Sequence, residues 1–376
     1  MRWRIDAGMV ERAREVVRRH ARETPLVPAP ILGEGALFKL ETEQETGSFK
    51  LRGALAALDA LDPSARARGV VTASAGNHGY GLARAGALFG VPVTVFVSRG
   101  APAVKREGIA RAGAAIEVVD AAGYDDVEAM AKRAAVERGL AFVSPFDDPA
   151  VAAGNGATLG LEILDARPDV RTIVFPVGGG GLAAGLAAAR DHRGASIELI
   201  GVQSEACPAM VESLAAGRAL TRFAARAPTL AEGLEGGVSE ATYAIARASL
   251  SRMEAVSERA IADAMRLARA ALDLPLEGSA AVALAWALAH RDDRSIEERS
   301  EVTVGRHPLP FAGVGMPSSS GATHAVEERS EVTVGRDLPP PSHSGATHVI
   351  ARPWVVVLTG RNVDPATLDA LTAQPG

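Results

Sequence analysis

The sequence predicts an α/β protein that contains two open, mostly parallel sheets covered by helices. Strand-like apolar runs alternate with helical repeats over residues 69–146, and a second alternating series runs over residues 156–203. Alternation of this kind builds a parallel sheet with helices on both faces. The length of 376 residues fits a large unit with a smaller one. We therefore expect residues 1–68 and 147–376 to form a large domain and residues 69–146 a small one.

The first elements place a lysine at the start of a helix. Apolar residues recur at helical spacing from Met9 to Arg22 and predict an amphipathic helix. A proline-rich turn and a short strand over Ala36 to Leu40 follow. A glycine break then precedes an alanine-rich helix from Phe49 to about Leu61, with Ser48 as its expected N-cap and Lys50 in its first turn.

Two alternating series fill the middle of the chain, and glycine-rich turns stand between several of their strands and helices. The first series is predicted as strand 69–72, helix 80–89, strand 93–97, helix 103–112, strand 116–119, helix 124–138 and strand 141–142. The second is predicted as helix 156–165, strand 172–177, helix 182–189 and strand 198–203. Helices over 241–253 and 258–271 and an alanine-rich helix ending near residue 290 precede a final strand over 354–358.

The segment 291–352 differs in composition from the rest of the chain. It carries the sequence EERSEVTVGR twice, at 297–306 and 327–336, and SGATH twice, at 320–324 and 344–348. Two unequal copies are too few for a solenoid, which needs about three repeats. Its richness in Ser, Pro and Gly predicts a disordered insertion before the last strand. A small regulatory or partner-binding hairpin is the alternative.

The composition excludes several classes of protein. Hydrophobic residues make up 47% and charged residues 23%, as in ordinary globular proteins, and the apolar stretches are shorter than the roughly 20 residues of a membrane span. A net charge of −5 gives no general attraction to nucleic acid or to an anionic membrane. The one cysteine, Cys207, excludes an internal disulfide, and the first residues lack a secretory apolar core. We therefore expect a cytoplasmic protein.

Lysine is scarce in this chain. Only four of its 40 basic residues are lysines, at positions 39, 50, 105 and 132. Lysine can form a Schiff base and arginine cannot, so each lysine is a candidate for chemistry. Lys50 is the strongest candidate because the positive end of a helix disfavours a protonated amine, which favours a nucleophilic one. A partly exposed helix lysine without a chemical role is the alternative interpretation.

The strongest local motif is the glycine run Gly178-Gly179-Gly180-Gly181-Leu182, at the junction of a predicted strand and helix. Residues without side chains let backbone N–H groups approach a phosphate, and the helix start adds its positive end. A tight turn without a ligand is the alternative. Gly179, Gly181 and Ala184 also loosely match the dinucleotide fingerprint, with Glu205 about twenty residues further on, but that match leaves the other motifs without a role.

Two further motifs follow predicted strands. Ser74-Ala75-Gly76-Asn77-His78-Gly79 combines a hydroxyl, an amide and free backbone donors before a helix, which suits a carboxylate. For His78 alone, a structural role and a catalytic role are both open. Thr359 follows the final strand in Leu358-Thr359-Gly360-Arg361-Asn362, and ligands of open parallel sheets bind at such strand ends.

Taken in order, the motifs GSFKLRGA, SAGNHG, PFDDP, GGGGL, EGSA and LTGRN resemble those of the serine/threonine dehydratase family of pyridoxal-phosphate enzymes, which has the tryptophan-synthase-β-like fold. The resemblance spans about residues 20–290 and 354–364. It implies that the large domain holds pyridoxal phosphate as a Schiff base on Lys50, which also moves the α-proton, and that the small domain lies on the substrate side. It also implies a homodimer or a higher homo-oligomer.

The resemblance implies a role for the remaining motif residues. The cofactor would be bound by Phe49, Asn77, the loop Gly178, Gly179, Gly180 and Gly181 with Leu182, and Thr359. Asn77 would contact the 3′-oxygen of the pyridine ring, and Thr359 would face the ring nitrogen. The carboxylate of a small amino-acid substrate would be held by Ser74, Ala75, Gly76, Asn77 and His78.

The reaction implied by the resemblance is loss of the β-hydroxyl and the amine from L-threonine or L-serine, which gives a 2-oxo acid and ammonia. A hydroxyl beside the pyridine nitrogen leaves that nitrogen largely unprotonated, so loss of the β-substituent competes well. Two alternatives remain open. One is β-replacement, as in cysteine or threonine synthases of the same fold, and the other is a non-enzymatic phosphate or nucleotide-binding module.

Departures from the family pattern concern the substrate and the metal. Ala75 stands where related serine racemases carry a second serine as the opposite-face base, so efficient racemisation is not expected. Gln203 replaces a metal-binding glutamate of some members and Ala209 replaces a nearby acid, so we expect no metal. Tyr80 and Asn155 stand where glutamine is common, and EGSA departs from the usual EPS. These changes leave the side chain of the substrate open.

Overall fold

A computed structural model describes residues 3–121, 123–291 and 350–373. Within these residues the larger sheet has six strands, and its first edge strand runs antiparallel to its neighbour while the other pairs are parallel. Their order across the sheet is β1 (Leu26–Pro28), β2 (Ala36–Leu40), β10 (Trp354–Leu358), β7 (Thr172–Pro176), β8 (Glu198–Ser204) and β9 (Arg252–Val256). The last strand in the chain therefore lies inside the sheet, between β2 and β7.

The smaller sheet has four strands, all parallel, in the residues that the structure describes. Their order is β5 (Ala115–Val119), β4 (Val93–Ser98), β3 (Val70–Ala73) and β6 (Ala141–Phe142). Two mostly parallel sheets were predicted from the sequence, and this fold class is confirmed. The division into a small domain over 69–146 and a large one over 1–68 and 147–376 stays a prediction.

The helices cover both sheets. They are α1 (Ala7–His20), α2 (Lys50–Ala60), α3 (Pro63–Arg68), α4 (Asn77–Phe89), α5 (Ala103–Arg111), α6 (Tyr124–Arg138), α7 (Pro149–Ala152), α8 (Thr158–Ala166), α9 (Gly181–Arg193), α10 (Ala209–Ala216), α11 (Glu240–Ser249), α12 (Glu258–Leu272), α13 (Gly278–Ala289) and α14 (Pro365–Ala373). A stretch of π-helix over Ala153–Ala157 joins α7 to α8. None of the helices in the described ranges is both long and apolar enough to span a membrane.

The core of the larger sheet is built from continuous apolar strands and an alanine-rich helix. Every residue of β10 (WVVVL) is buried, as expected for a parallel strand that is covered on both faces. Helix α13 is also almost wholly buried, and its Trp286 packs in the same apolar cluster as Trp354 of β10. Burial of this extent makes the sheet a rigid scaffold, so the loops at its strand ends have fixed positions.

Helix α4 begins at Asn77 rather than at the predicted Tyr80. Close packing around its first turns explains this early start. A Cβ atom at Gly79 would lie 2.5 Å from the main-chain oxygen of Ser74, and one at Gly81 would lie 3.1 Å from the main-chain nitrogen of Leu51. The glycines that disfavour a helix by propensity thus permit it here, because only they fit against α2 and the preceding loop.

The prediction that Ser48 caps α2 is wrong. Phe49 occupies the N-cap position, and no side-chain hydrogen bond caps the helix. Ser48 instead forms an isolated bridge with Gly360, which follows β10, and its hydroxyl is buried without a partner among the described residues. The start of α2 is therefore fixed by the end of β10 rather than by its own cap.

Two other predicted helices differ from the structure. The predicted helix over 241–253 is wrong in its last four residues, because α11 ends at Ser249 and β9 follows, paired parallel with β8. The predicted helix over 156–165 is the end of a longer helical run that starts at Pro149. The duplicated insertion predicted over 291–352 falls almost entirely on 292–349, which lies outside the described residues.

Candidate active site

The sequence motifs follow the carboxyl ends of three strands, one in the smaller sheet and two in the larger. The SAGNHG loop follows β3, the glycine loop follows β7, and Thr359 follows β10. The main-chain nitrogen of Phe49 donates to the main-chain oxygen of Thr359 at 3.2 Å, which places the start of α2 at the same edge. Strand ends of open α/β sheets are the usual place for ligands. The predicted site residues are therefore brought together by the fold.

Lys50 lies in the first turn of α2 and is partly buried. Its Nζ donates to the main-chain oxygen of Pro145 at 3.1 Å and lies 5.0 Å from the centre of the Phe49 ring. Burial lowers the pKa of the Lys50 amine to about 8, and the negative charge of Glu277 opposes part of that shift. A larger share of this amine is therefore neutral near pH 7 than in an exposed lysine, and only the neutral amine can attack a carbonyl carbon.

The glycine loop runs into the first turn of α9. Gly180 is the N-cap, in a left-handed conformation with φ 95°, and no side-chain hydrogen bond caps the helix. A Cβ atom at Gly179 would lie 2.4 Å from the Phe146 ring, and one at Gly181 would lie 2.7 Å from the main-chain oxygen of Phe146. The loop therefore requires glycine, and its first helical N–H groups, including that of Leu182, remain available to an anion.

The SAGNHG loop also leads to an uncapped helix. Gly76 is the N-cap of α4 and makes no side-chain cap bond, and a Cβ atom there would meet nothing within 4 Å. The hydroxyl of Ser74 accepts a hydrogen bond from the Gly76 nitrogen at 3.2 Å, which holds the loop ahead of the helix. Ala75 lies between them and is partly buried. Open space in front of a helix start suits a small carboxylate.

The ring of His78 points into the protein rather than into this open space. It is buried, and its Nε2 lies 3.3 Å from the main-chain oxygen of Val143. Burial and the positive charge of Lys50 lower the pKa of His78 to about 3. The ring is therefore neutral at physiological pH and cannot act there as a cation. Its Nδ1 has no hydrogen-bond partner within the described part of the chain.

Asn77 is held by two residues from distant parts of the chain. Its Nδ2 donates to both carboxylate oxygens of Glu277, at 2.8 and 2.9 Å, and its Oδ1 accepts from Nδ2 of Asn362 at 2.7 Å. Sequence reasoning did not assign a role to Glu277. The available signal was its place as the first residue of the EGSA motif, directly before the apolar, alanine-rich run that becomes α13.

Thr359 is buried at the end of β10, and its main chain is engaged by Phe49 as described above. Its hydroxyl makes no hydrogen bond to the residues that the structure describes, so it is free to contact a ligand. Gly360, the next residue, lies against Glu277 and pairs with Ser48. The predicted site residues Lys50, Asn77 and Thr359 are thus joined through the turn after β10.

Gln203 is used for structure. Its Oε1 accepts hydrogen bonds from the main-chain nitrogens of Met210 and Val211, at 2.9 and 3.2 Å, at the start of α10. Ala209 provides no acid at that position. Within residues 3–121, 123–291 and 350–373, no group of three or more His, Cys, Asp or Glu side chains is arranged to hold a metal ion.

These groups fit pyridoxal phosphate. The uncapped start of α9 offers backbone N–H groups to a phosphate, and Lys50 offers an amine of lowered pKa to the aldehyde carbon. The uncapped start of α4 offers a second anion site for a substrate carboxylate. One lysine beside two separate anion sites is the donor set that this cofactor and an amino acid require.

Comparison with known proteins agrees with this chemistry. The family model described as "Pyridoxal-phosphate dependent enzyme" matches residues 17–305. The L-threonine ammonia-lyase of Thermotoga maritima is 39% identical over 276 residues, which are 73% of this chain and 68% of that protein. The enzyme of the same name from Geobacter sulfurreducens is 39% identical over 293 residues, which are 75% of this chain and 71% of that protein.

A serine racemase of Oryza sativa is 33% identical over 290 residues, which are 76% of this chain and 84% of that protein. Among solved structures, the processed form of threonine deaminase isoform 2 from Solanum lycopersicum has a TM-score of 0.74 at 25% identity, with 98% of this chain and 93% of that chain covered. Maize serine racemase has a TM-score of 0.75 at 27% identity, with 97% and 96% covered. The chain therefore belongs to the family of pyridoxal-phosphate dependent enzymes.

Proposed function

We propose that this protein is a pyridoxal-phosphate dependent ammonia-lyase that converts L-threonine or L-serine to the 2-oxo acid and ammonia. The observation that carries the proposal is the position of Lys50. Its amine donates to the main-chain oxygen of Pro145, whose neighbour Phe146 lies against the glycine loop before α9, and its charge acts on His78 in the first turn of α4. The relatives named above as threonine ammonia-lyases support the same reaction for this chain.

Pyridoxal phosphate supplies an electron sink for the pair of electrons left when a proton departs from the α-carbon of a bound amino acid. Lys50 would bind the cofactor and then move that α-proton, because its lowered pKa leaves part of the amine neutral near pH 7. The β-hydroxyl leaves as water. The released enamine is hydrolysed to the 2-oxo acid and ammonia, so that the amino acid loses one amine in all.

The other residues bind and orient. The loop Gly178 to Gly181, with Leu182, would hold the cofactor phosphate at the start of α9. Phe49 and Asn77 would line the ring, with the Asn77 amide at its 3′-oxygen, and the free hydroxyl of Thr359 would face its nitrogen. The loop from Ser74 to His78 would hold the substrate carboxylate through the hydroxyl of Ser74 and the N–H groups at the start of α4.

Ala75 supports elimination over racemisation. A racemase needs a base on each face of the α-carbon, and alanine has no group that accepts a proton. Likeness to serine racemases therefore concerns the fold and the cofactor, whereas the second base is missing at this position of the loop.

The decisive experiment is the visible spectrum of the purified protein, together with 2-oxo acid release from L-threonine and L-serine. The parent should show an absorption band of bound cofactor and form 2-oxo acid. Lys50→Ala should lose both, while the matched variant Lys132→Ala, which removes a surface lysine paired with Glu128, should keep both. A parent that shows no band after addition of pyridoxal phosphate would overturn the proposal.

β-Replacement is the second candidate reaction, because the same fold and cofactor serve both reactions. It needs a nucleophile that traps the unsaturated intermediate before hydrolysis. Product analysis with and without sulfide separates the two. A cofactor band with no 2-oxo acid, and a new amino acid only when sulfide is present, would favour replacement.

We also propose a cytoplasmic enzyme that works as a homodimer or a higher homo-oligomer, in which residues 69–146 form the small, substrate-side domain. The resemblance to the dehydratase family supports the assembly, and a single buried cysteine, Cys207, is consistent with a reducing compartment. Light scattering of the purified full chain tests the assembly. A mass of one subunit at micromolar concentration would contradict it.

A further inference from the structure

Glu277 stands at a helix start but does not cap it. It is the N-cap residue of α13, and its side chain makes no cap bond to that helix. The carboxylate instead reaches Asn77, which lies 200 positions away in the chain. A carboxylate that leaves its own helix start uncapped loses a favourable interaction there, so its contact with Asn77 requires a separate reason.

The contact fixes one orientation of the Asn77 amide. Nδ2 faces the two acceptor oxygens of Glu277, and Oδ1 faces the donor Nδ2 of Asn362, which also donates to the main-chain oxygen of Thr46 at 2.8 Å. Rotating the amide by half a turn would set oxygen against carboxylate and N–H against N–H. Glu277 and Asn362 therefore hold the amide between an acceptor and a donor.

Gly360 leaves the space that this contact needs. A Cβ atom at position 360 would lie 2.3 Å from Oε1 of Glu277 and 3.2 Å from Nδ2 of Asn77. The main-chain nitrogen of Glu277 donates to the oxygen of Gly360 at 3.3 Å. The turn after β10 thus packs against the Glu277 carboxylate, and this packing requires a residue without a side chain at position 360.

Glu277 also acts on the charge of Lys50. Loss of contact with water raises the pKa of Glu277, while the bond from Asn77 and the charges of Lys105 and Lys50 oppose that rise and Glu232 adds to it. Lys50 interacts with the charge of Glu277 and with buried His78, which stays neutral. Ser48, two residues before Lys50, pairs with Gly360, and Gly360 lies against Oε1 of Glu277, so the carboxylate lies near the start of the helix that carries the amine.

We propose that Glu277 is a positioning residue with two effects: its carboxylate orients the Asn77 amide and provides the counter-charge of the Lys50 amine. This inference rests on the proposed function, in which Lys50 binds the cofactor. Both oxygens of Glu277 accept from Nδ2 of Asn77, and one of the two hydrogens on that nitrogen satisfies them. The second hydrogen is left to donate to the 3′-oxygen of the cofactor ring. Glu277 acts through Asn77 and Lys50 and does not itself touch the reacting atoms.

The counter-charge role is tested on the full chain freed of cofactor, by competitive acetylation with acetic anhydride and mass spectrometry. The chain has only four lysines, so each is followed separately. Glu277→Gln removes the charge and keeps the shape. With a starting pKa of about 8 and a fall of about one unit on loss of an opposite charge, the Lys50 labelling rate at pH 7 should rise about fivefold. Labelling of Lys132 is the internal control and should not change.

The orienting role is tested by cofactor affinity, measured by equilibrium dialysis with pyridoxal phosphate. Glu277→Gln should weaken binding about tenfold in the parent, and this loss should disappear in an Asn77→Ala background, where only the effect through the Lys50 charge remains. Gly360→Ala should weaken binding in the same way by moving the carboxylate. Gly108→Ala on α5 is the matched control, since a Cβ atom there meets nothing within 4 Å.

Each role can be overturned separately. A Lys50 labelling rate within twofold of the parent in Glu277→Gln overturns the counter-charge role. An equal loss of affinity with and without Asn77 overturns the orienting role. If Glu277→Gln does not fold, Gly360→Ala tests both effects with the carboxylate retained. Failure of the parent to bind pyridoxal phosphate refutes the proposed function instead, whereas the labelling experiment needs no cofactor.

Discussion

Helix α2 carries two charged groups that behave in opposite ways. Arg52 lies in a buried cluster with Lys39, Glu41 and Glu162, which we call the Arg52 cluster. Lys50 is half-buried in the candidate site, where its Nζ donates to the main-chain oxygen of Pro145. Positions two residues apart lie about 200° apart around a helix, so the two side chains point to opposite sides.

In the Arg52 cluster every charge has a partner. Nε of Arg52 lies 2.8 Å from Glu41 and Nη1 lies 2.6 Å from Glu162, which also accepts from Lys39 at 2.5 Å. Burial alone would raise the pKa of Glu41, but the charge and hydrogen bonds of Arg52 reverse this and lower it. Burial acts to lower the pKa of Arg52, but Glu41 and Glu162 raise it. Arg52 and Glu41 thus stay charged although both side chains are out of contact with water.

Lys50 shows the outcome when pairing is incomplete. Its amine has a main-chain oxygen at 3.1 Å and the charge of Glu277, and burial outweighs both so that its pKa falls to about 8. The comparison teaches that burial alone does not decide the charge of a side chain, because the partners decide it. One helix turn therefore presents a permanent charge to the core and a reactive amine to the cleft.

The largest expected effect comes from breaking the Arg52 cluster. Arg52→Met leaves Glu41 and Glu162 buried with too little positive charge, which should lower the free energy of unfolding by about 3–5 kcal/mol. Urea unfolding of the full chain at pH 7 measures it. Arg138→Met is the matched control, because Arg138 also binds a glutamate, Glu117, but at the surface, where such a pair contributes at most about 1 kcal/mol.

The same variant has a pH signature. Because the pKa of Glu41 is lowered in the folded state, the cluster stabilises the protein above the ordinary glutamate value of 4.5, and this contribution is lost as the pH falls below it. The difference between parent and Arg52→Met should therefore shrink in acid. A difference at pH 7 no larger than that of the Arg138 control would contradict the role given to the cluster.

The second prediction concerns the rate at which the full chain freed of cofactor captures pyridoxal phosphate. Attack on the aldehyde needs the neutral Lys50 amine, whose pKa is about 8. The rate should therefore rise about tenfold per pH unit up to that value and level off above it. Stopped-flow absorbance measures the rate, and Lys132→Ala should give the same profile. A rate independent of pH between about 6 and about 8 would show that the amine is already neutral or is not the attacking group.

The smallest expected effect concerns the stability of the protein when the charge of Lys50 is removed. Lys50→Met should stabilise the cofactor-free protein by about 1 kcal/mol at pH 7, since a partly desolvated charge is replaced by an apolar side chain of similar length. The folded pKa of about 8 lies below the ordinary 10.5, so the penalty is full below pH 8 and fades as the pH rises towards 10.5. The stabilisation by Lys50→Met should therefore also decrease as the pH rises from about 8 towards 10.5. Lys132→Met should stay within about 0.5 kcal/mol of the parent, and a destabilised Lys50→Met would reverse our interpretation.

Parts of the fold could be predicted where local pattern and tertiary structure agree. β10 and α6 were predicted with their observed bounds, because one is a continuous apolar run and the other is a long helical repeat ended by Gly139. β9 was missed, since its residues RMEAV directly follow a helix and become a strand only by pairing with β8. The start of α4 was missed for the same reason, because packing against α2 decides it.

The residues of the candidate site also differ in how far the sequence predicts their roles. Lys50 could be found from the sequence because lysine is rare and the residue stands in a motif at a helix start. The glycine loop could be found because four consecutive glycines between a strand and a helix form a local pattern that suits an anion. The role of Glu277 could not be assigned although the residue stands in the EGSA motif, because that role depends on a contact with Asn77 across 200 positions and on the space left by Gly360. Long-range contacts of this kind leave no local pattern.

The place of β10 inside the larger sheet has a consequence for how the chain is made. Residues 354–358 leave the ribosome after the whole segment 292–349, yet they fill the gap between β2 and β7. Until they arrive, those two strands present unpaired edges, which can join with other chains. Thr359 and Gly360 arrive with them, so a nascent chain cannot complete its cofactor site. Capture of the cofactor should therefore mark the end of folding, and chains stopped before β10 should need chaperones to stay unaggregated.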